Sequence, residues 1–355
     1  MTPIPGALAP PCKSFERVHG GPDAHGAPTH DFSTNSNACG PCPSALAAVA
    51  CADASTYPDA SYTQLRQQLA DFHAVAVQRV VLAASASEFI FRITALAVQR
   101  GVQAASLPPH SYGDYAQAAR AHQLPVLSDS GTCLHWSCEP SSPLGGAHEG
   151  LSALVDGCGA GSIVVLDRAY EPLRLSGTPS LGTAQLQTVW QLWTPNKAFG
   201  LTGVRAAYAI APQGADADIN TMNQLCPSWP IGAHGVAMLQ AWTQLDAQAW
   251  LATSLNTLRD WKAQQLALCA SLGWTVLPSH ANFFVCRWGQ DTSALAQLRG
   301  HGIKLRDCSS FGLPGHVRLG VQSPAAQGAL QVAIRSCALD SQSGQFLENL
   351  KKPAS

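Results

Sequence analysis

The residue of this chain best suited to covalent chemistry is a lysine in a short, glycine-rich turn. Lys197 lies within the segment WTPNKAFGLTGVR, with Thr194 three residues before it and Arg205 eight residues after it. Of the six lysines in the 355-residue chain, only Lys197 is flanked by loop residues between two apolar segments. A lysine that condenses with a carbonyl compound needs a desolvated amine held in such a setting. The alternative interpretation is a surface lysine in a glycine-rich loop.

A second candidate for chemistry is a carboxylate at the end of an apolar run. The run SIVVL at 162–166 predicts a buried strand, and Asp167 follows it directly, with Tyr170 three residues further on. An aspartate at the carboxyl end of a buried parallel strand points into the ligand crevice of an α/β sheet. A carboxylate in that position could keep the nitrogen of a heteroaromatic cofactor protonated, which makes the ring an electron sink. The alternative is an aspartate that caps the next element.

Small residues at a predicted helix start could bind a phosphate. The run RVVLA at 79–83 predicts a strand, which leads into Ser85, Ala86 and Ser87 and then a predicted helix over 89–98. Small side chains there let backbone N–H groups approach a phosphate, and the helix dipole favours the anion. As an isolated signal it is weak, because many helices begin with serine.

The order of these motifs resembles the fold-type-I enzymes of the class I and II aminotransferase family, which use pyridoxal phosphate (PLP). The resemblance covers roughly residues 15 to 340. It implies an α/β fold, in which a large domain with a mostly parallel central sheet precedes a smaller α+β C-terminal domain. It also implies that Lys197, Asp167 and Tyr170 are catalytic, with Lys197 holding PLP. The contacts that it implies for the cofactor phosphate are Ser85, Ala86, Ser87, Thr194 and Arg205.

Three further positions resemble cofactor contacts of the family. Tyr57, in a Tyr-Pro-Asp sequence before a predicted helix, resembles the tyrosine that reaches the cofactor phosphate of the neighbouring subunit, which implies a homodimer. Tyr112 resembles the aromatic residue that stacks on the pyridine ring. Ser142 stands where the family has an asparagine that bonds the phenolic oxygen of the cofactor, and serine is shorter. The alternatives are a simple turn at Tyr57 and a core position for Tyr112.

The predicted substrate contacts lie near both ends of the chain. Arg318 resembles the arginine that grips the α-carboxylate of the substrate. His19 and Gly20, with Asn35 and Arg306, are expected to bind a phosphate on the substrate, and glycine allows a close backbone approach to an anion. The expected substrate is therefore a small amino acid that carries a phosphate. A disordered arm is the alternative for the segment around His19.

Within the family, the chain resembles the L-threonine-O-3-phosphate decarboxylases of cobalamin biosynthesis and, as an alternative, the histidinol-phosphate aminotransferases. The first reaction breaks the bond from Cα to the carboxylate, and the second breaks the bond from Cα to hydrogen. The grip on the anionic groups, to about 1 Å, decides which bond is aligned. The sequence HGG at 19–21 and the pair Arg306 and Arg318 favour the decarboxylase. Both reactions stay open at this point.

Two other functional classes are alternatives. Cys39 and Cys42 form a Cys-x-x-Cys sequence at a predicted helix start, where the pKa of a thiol can be lowered, so a redox or metal-binding role is one of them. A non-catalytic protein with the same fold is the other, suggested by Ser142, Ala86 and the short region at 128–160. We expect PLP as the cofactor and no metal.

Composition limits the remaining classes. The chain is 46% hydrophobic and 12% charged, with a net charge of -1, which offers no basic face for nucleic acid and no polybasic membrane patch. No apolar run reaches the roughly 18 residues of a membrane span. The N-terminal sequence lacks the pattern of a secretory signal. The twelve cysteines are scattered, so we expect a cytoplasmic enzyme with reduced thiols.

An α/β frame is needed to position these side chains. We expect an N-terminal arm and its following loop at 1–43, and a large cofactor-binding domain at 44–232. A small domain with its connecting helix should occupy 233–340, and a flexible tail 341–355.

Overall fold

The computed structural model describes residues 19–127, 131–290 and 293–350, with the backbone alone described over 338–350. Its strands are β1 (His30–Asp31), β2 (Val80–Ala83), β3 (Ala104–Ser106), β4 (Cys133–Cys138), β5 (Ile163–Asp167), β6 (Trp190–Trp193), β7 (Ala207–Ile210), β8 (Thr275–Val276), β9 (Phe283–Arg287), β10 (Ile303–Lys304), β11 (Arg306–Asp307) and β12 (His316–Gly320). Its helices are α1 (Pro43–Ala50), α2 (Thr63–His73), α3 (Ala86–Gln99), α4 (Gly113–Ala121), α5 (Leu151–Gly157), α6 (Thr183–Leu186), α7 (Asp216–Gln224), α8 (Ala233–Trp242), α9 (Leu245–Ser271), α10 (Ser293–Gly300) and α11 (Pro324–Leu350).

The largest sheet has six strands in the order β2-β7-β6-β5-β4-β3. Strands β3, β4, β5 and β6 are parallel to one another, whereas β7 is antiparallel to both β6 and β2. Every residue of β2, β5, β6 and β7 is buried. Strands buried on both faces read as continuous apolar runs, because helices cover the sheet on both sides. The mostly parallel α/β sheet predicted from the sequence is confirmed.

Helices pack on both faces of this sheet. On one face, α3, α4 and α7 bury a cluster that includes Phe89, Tyr115 and Trp136. On the other face, α2, α8 and α9 bury a second cluster, which includes Leu65 and Tyr208 and continues into the C-terminal part of the chain. Full burial of one large apolar side chain contributes about 1.5–3 kcal/mol. The two clusters hold the sheet from both sides, so its strand ends are fixed positions for functional side chains.

The C-terminal part has its own four-stranded antiparallel sheet, in the order β11-β12-β9-β8. The long helix α9 packs against it, and Lys262 of this helix donates to the carbonyl oxygens of Ser279 (2.6 Å) and Ala281 (2.8 Å). Strand β1 of the arm pairs in parallel with β10, with His30 opposite Ile303. The N-terminal arm is therefore attached to the C-terminal part of the chain.

Two secondary-structure predictions from the sequence are wrong. The sequence LPVL at 124–127 predicts a strand, but in the structure it forms only an isolated bridge between Val126 and Ala105. The many Gly, Ser and Cys residues at 128–160 predict an irregular region, but it contains helix α5 and also β4, which lies between β3 and β5 in the sheet. The sequence of β4, CLHWSC, does not read as a buried strand, because it carries polar residues. Ser137 is tolerated there because its hydroxyl donates to the carbonyl of Val165 (3.0 Å).

Three further boundaries differ from the expectation or stay untested. The helical region predicted over 233–271 is two separate helices, α8 and α9. The last helix is predicted to end near Cys337 but continues to Leu350, so 341–350 are helical, and 351–355 lie outside the described residues. The division into a large and a small domain stays a prediction. None of the described helices combines the length and the apolar character that a membrane span requires.

Candidate active site

A cavity of about 590 Å³ opens at the carboxyl ends of β2, β5 and β6. Residues of the arm, the six-stranded sheet and the C-terminal sheet all line it. Ligands of α/β proteins commonly bind in this crevice, outside the carboxyl ends of the strands. The sequence-predicted site residues that line the cavity are His19, Gly20, Asn35, Ser85, Ala86, Ser87, Tyr112, Ser142, Asp167, Tyr170, Thr194, Lys197, Arg205, Arg306 and Arg318.

Asp167 ends β5 at the edge of the cavity and is buried. Its two oxygens have separate partners. Oδ1 accepts from the backbone N–H of Ala169 (2.9 Å), and Oδ2 accepts from the hydroxyl of Tyr115 (2.6 Å). Burial raises the pKa of Asp167, and these hydrogen bonds together with the charge of Lys197 oppose that rise. A carboxylate held in one orientation in this way can bind a cationic N–H group.

Lys197 lies in the tight turn that follows β6. Its carbonyl accepts from the backbone N–H groups of Asn37 (2.9 Å) and Gly200 (3.3 Å). Gly200 has a φ of +69°, and a Cβ there would come within 2.9 Å of Gly40, so the contact between the two loops requires glycine. The turn is thus held by the loop that follows the arm, which fixes the lysine backbone at the cavity.

Tyr170 lies beside the amine of this lysine. The Nζ atom of Lys197 is 5.5 Å from the ring centroid of Tyr170, and the amide of Asn35 donates to the Tyr170 hydroxyl (3.2 Å). Phe283 packs edge-on against the same ring, with 4.7 Å between the centroids. The phenol is therefore fixed by contacts from the N-terminal loop and from the C-terminal sheet.

The predicted phosphate-binding segment forms the first turn of α3. Ser85 is its N-cap, and its hydroxyl accepts from the backbone N–H of Glu88 (3.1 Å). The Ser87 hydroxyl lies 3.3 Å from the hydroxyl of Tyr112. N–H groups in the first turn of a helix have no carbonyl partner within the helix and suit an anion. The exposed Arg205 lines the same cavity and could add a bidentate contact.

Two arginines line the cavity wall that the C-terminal sheet forms. Arg306 on β11 and Arg318 on β12 are paired in register, and their guanidinium carbons lie 4.7 and 5.6 Å from the ring centroid of Phe311. Arg318 donates to Ser142 Oγ (3.4 Å) and to the carbonyl of Ser33 (3.1 Å). Burial lowers the pKa of both arginines, and the charge of Arg318 adds to this effect at Arg306. Two adjacent, buried guanidinium groups form a site for anionic substituents.

The arm reaches the rim of the cavity through a close backbone contact. A Cβ on Gly20 would lie 2.2 Å from the carbonyl oxygen of Ser33, so this position requires glycine. The exposed His19 has its ring centroid 6.5 Å from that of Tyr112. The arm and the start of α4 therefore approach each other at the mouth of the cavity.

Ion pairs anchor the arm to the C-terminal part of the chain. Asp23 pairs with Lys304 (2.9 Å) and Arg299 (3.0 Å), and Lys304 also donates to the carbonyl of Gly21 (2.6 Å). The two cations hold the pKa of Asp23 well below its usual range. We call Asp23, Arg299 and Lys304 the arm anchor. These contacts disfavour the alternative of a disordered arm from His19 onward.

Two predicted cofactor contacts have other neighbours in the structure. Tyr57 is 77% exposed and stacks on Trp229, with 4.5 Å between ring centroids, and it does not line the cavity of its own chain. Ser142 does line the cavity, yet its hydroxyl accepts from Arg318. The roles of Tyr57 and Ser142 toward the cofactor stay predictions.

Tyr115, Cys138 and Asn196 also line the cavity, and the sequence alone does not point to them. Tyr115 is fully buried on α4, three residues after Tyr112. Residues three apart share a helix face, and that spacing is the signal that could have identified it. Cys138 pairs in register with Asp167 on the neighbouring strand, so finding it requires the strand β4 that the sequence hides.

The cysteine pair does not have the environment of a reactive dithiol. Neither Cys39 nor Cys42 is in a disulfide, and Cys39 Sγ lies 3.8 Å from the carbonyl of Ser254. Burial raises the pKa of Cys39, whereas a redox thiol at a helix start requires a lowered pKa. Among the described residues, no three His, Cys, Asp or Glu side chains cluster as metal ligands do. The thiol and metal alternatives therefore gain no support.

The chemistry of the cavity fits PLP. Several buried polar atoms of its lining residues have no hydrogen-bond partner within the described part of the chain. Buried polar groups are normally paired with protein groups, water or a ligand, so these atoms are available to a bound polar group. PLP carries a phosphate, a phenolic oxygen and a ring nitrogen, for which the cavity offers a helix start, hydroxyl groups and a carboxylate. The unpaired atoms are Asn35 Oδ1, Thr194 Oγ1, Asn196 Oδ1 and Arg318 Nε.

Comparison with known sequences agrees with this chemistry. The family "Aminotransferase class I and II" matches residues 128–335. A histidinol-phosphate aminotransferase of Halorubrum lacusprofundi is 28% identical over 314 residues, which cover 81% of this chain and 83% of the relative.

Solved structures share the fold. The histidinol-phosphate aminotransferase of Sinorhizobium meliloti, solved in complex with pyridoxal phosphate, superposes with a TM-score of 0.71 at 20% identity, over 86% of this chain and 90% of that one. The L-threonine-O-3-phosphate decarboxylase of Porphyromonas gingivalis superposes with a TM-score of 0.73 at 20% identity, over 86% and 98% of the two chains. The chain therefore belongs to the class I and II aminotransferase family and has its fold-type-I architecture, and it is an enzyme whose cofactor is PLP.

Proposed function

We propose that this protein is an aminotransferase that moves the amino group of a small phosphorylated amino compound to an oxo acid. The observation that carries the proposal is the meeting of Lys197, Arg306 and Arg318 in one cavity. The lysine suits chemistry on an amine, and the arginines suit anionic substituents. The relative from Halorubrum lacusprofundi, which resembles this chain over most of both lengths, is a histidinol-phosphate aminotransferase. That resemblance supports transamination as the first candidate.

PLP, when bound, supplies an electron sink that weakens the bonds at the substrate Cα. We assign Lys197 to hold the cofactor and to move the proton at Cα. Asp167 would bind the ring nitrogen, and Tyr170 is the phenol that lies beside the lysine amine. Tyr112 and Ser142 are assigned to the ring and to the phenolic oxygen. The residues assigned to the cofactor phosphate are Ser85, Ala86, Ser87, Thr194 and Arg205.

The arginines and the arm hold the substrate in this proposal. Arg318 suits a carboxylate, because a guanidinium offers two parallel N–H donors. Arg306 donates to the hydroxyl of Ser310 (2.8 Å) and, with His19 and Asn35, would bind the substrate phosphate. Donors that are fixed before binding lose less freedom on binding, and they orient Cα toward the lysine.

Decarboxylation of a phosphorylated amino acid such as L-threonine O-3-phosphate is the second candidate. The register pairing of Arg306 with Arg318 favours it, because two adjacent guanidinium groups could hold the phosphate and the carboxylate of one molecule. The anchored arm beside His19 favours it as well, since it adds contacts on the same side of the cavity. In cobalamin biosynthesis such a decarboxylase would act on L-threonine O-3-phosphate.

One pair of assays distinguishes the two reactions. The purified holoenzyme is given L-histidinol phosphate with α-ketoglutarate, and separately L-threonine O-3-phosphate. Glutamate formation in the first assay supports the aminotransferase, and release of carbon dioxide in the second supports the decarboxylase. Carbon dioxide without glutamate would overturn the first proposal, and neither product would overturn both substrate assignments.

We also propose that the active protein is a homodimer. The exposed stack of Tyr57 on Trp229 is an aromatic surface of the kind found at the centre of interfaces. Fold-type-I sites with a tyrosine in this role lie at a two-fold interface, where the same patch serves both subunits. Sedimentation of the holoenzyme tests the proposal, and a fully active monomer would contradict it.

A further inference from the structure

A buried hydrogen bond connects helix α4 to the carboxylate at the end of β5. The hydroxyl of Tyr115 donates to Asp167 Oδ2 (2.6 Å), while Oδ1 accepts from the backbone N–H of Ala169 (2.9 Å). The ring of Tyr115 stacks on Trp136, with 4.3 Å between centroids and 10° between planes. Both rings are almost completely buried. The phenol therefore has one orientation, and it fixes the plane of the carboxylate.

We propose that Tyr115 is a positioning residue that keeps Asp167 ionised and aligned, so that the proton shared with the cofactor stays on the ring nitrogen of PLP. This inference rests on the proposed function, in which Asp167 binds that nitrogen. Tyr115 acts through Asp167 and need not touch the substrate. Its removal should therefore change the electronic state of the cofactor more than substrate affinity.

The physical basis is the balance of groups around a buried carboxylate. Burial alone raises the pKa of Asp167 and favours its neutral acid form. Burial also raises the pKa of Tyr115 well above its usual value, so the phenol stays neutral and keeps the proton that it donates to Asp167. The pKa of Cys138 is raised for the same reason, so this thiol stays neutral as well. The positive charge of Lys197 also favours the carboxylate form.

Loss of the Tyr115 hydroxyl should move the shared proton from the ring nitrogen toward Asp167. A carboxylate accepts a hydrogen bond more strongly than a carboxylic acid does, so the Tyr115 hydroxyl stabilises the form with the proton on nitrogen. A hydrogen bond to a charged group is strong enough that its loss should shift this equilibrium about tenfold or more toward the acid form of Asp167. No proton is gained or lost in this exchange, because it moves between the ring nitrogen and a carboxylate oxygen.

The test is Tyr115→Phe in the holoenzyme loaded with PLP that carries labelled ring nitrogen. Phenylalanine keeps the ring stacked on Trp136 and removes only the donor. The nitrogen NMR shift should move from the pyridinium value toward that of a neutral, hydrogen-bonded pyridine. Tyr62→Phe is the matched control, because it removes another buried hydroxyl, which donates to the carbonyl of Ile231 (2.8 Å). This control should retain the wild-type shift, and a pyridinium shift in Tyr115→Phe would overturn the proposal.

Two further samples distinguish a wrong role for Tyr115 from a variant that does not fold and from a wrong assignment of Asp167. A ring-fluorinated tyrosine at position 115 keeps the ring and makes the hydroxyl a stronger donor, so it should retain the pyridinium signal of the wild type. A signal that moves toward the neutral pyridine in this sample would contradict the proposal even where Tyr115→Phe does not fold. Asp167→Asn should also lose the pyridinium signal. If it retains that signal, the assignment of Asp167 fails, whereas loss in Asp167→Asn without loss in Tyr115→Phe refutes the role of Tyr115 alone.

Discussion

The two sides of the cavity are built by different means. On the sheet side, Asp167 on β5 and Tyr115 on α4 are buried and are fixed by each other and by the core of the six-stranded sheet. On the opposite side, Arg306 and Arg318 lie on β11 and β12 of the C-terminal sheet. The arm beside them is held by Asp23, which is exposed to solvent.

This difference indicates how each side can vary. On the sheet side, the positions of the functional side chains are fixed by packing, so substitutions there should disturb cofactor binding and the reaction rate together. On the arm side, the positions of the side chains depend partly on surface ion pairs, which are individually weak and sensitive to salt. We expect the chemistry to depend on the first side and the choice of substrate on the second.

Lys197→Ala should have the largest effect on activity among the substitutions on the sheet side of the cavity. The variant loses the residue assigned to hold the cofactor and to move the proton, so turnover should fall by at least about 10²–10⁴-fold. Borohydride reduction of the wild-type holoenzyme, followed by peptide mapping, should place the cofactor adduct on Lys197. An adduct on any other lysine, in wild type or variant, would show that the assignment is wrong.

Asp167→Asn tests the same side with a smaller change. Asparagine keeps the shape of the side chain but removes the negative charge that the ring nitrogen requires, so kcat should fall about 10²–10³-fold. The affinity for the substrate should change far less. Steady-state kinetics separate the two quantities, and an unchanged kcat would rule out the role of the carboxylate.

Arg318→Lys tests the arginine side. The lysine keeps the charge but loses the planar two-point donor, so KM for the substrate should rise about tenfold or more. The absorbance of the bound cofactor should stay as in the wild type. Arg174→Lys is the matched control, because Arg174 is a partly buried arginine paired with Glu139 (3.0 Å) and does not line the cavity. An equal rise in KM for both variants would show that Arg318 has no specific role in binding the substrate.

Asp23→Asn should have the smallest effect. It weakens the arm anchor without changing any cavity residue, so KM should rise less than about fivefold, and the rise should shrink at high salt. Asp218→Asn serves as the control, because it breaks a comparable surface ion pair, between Asp218 and Arg100 (2.7 Å), beside the six-stranded sheet. Equal kinetics for Asp23→Asn and wild type at low salt would show that the anchor does not support the substrate site.

The sheet side also shows how far the sequence predicts the site. Asp167, Lys197 and Ser85 follow strands that read as apolar runs, so their places at strand ends can be inferred from local patterns. Tyr115 is missed because its partner lies 52 residues away in sequence. Strand β4 is missed because the burial of its polar residues depends on neighbouring strands. Contacts that arise from folding, rather than from a repeated pattern, leave little trace in one sequence.

The attachment of the arm also has a consequence for synthesis. Lys304 and Gly21, which are bonded to each other, are 283 positions apart in the chain. A ribosome produces the arm well before its partners in β10 and α10, so the arm cannot pair until those elements have emerged. Closing so long a loop also costs chain entropy, which must be offset by contacts that form afterwards. The mouth of the cavity can therefore form only after β10 and α10 have been synthesised, which is later than the strands of the six-stranded sheet.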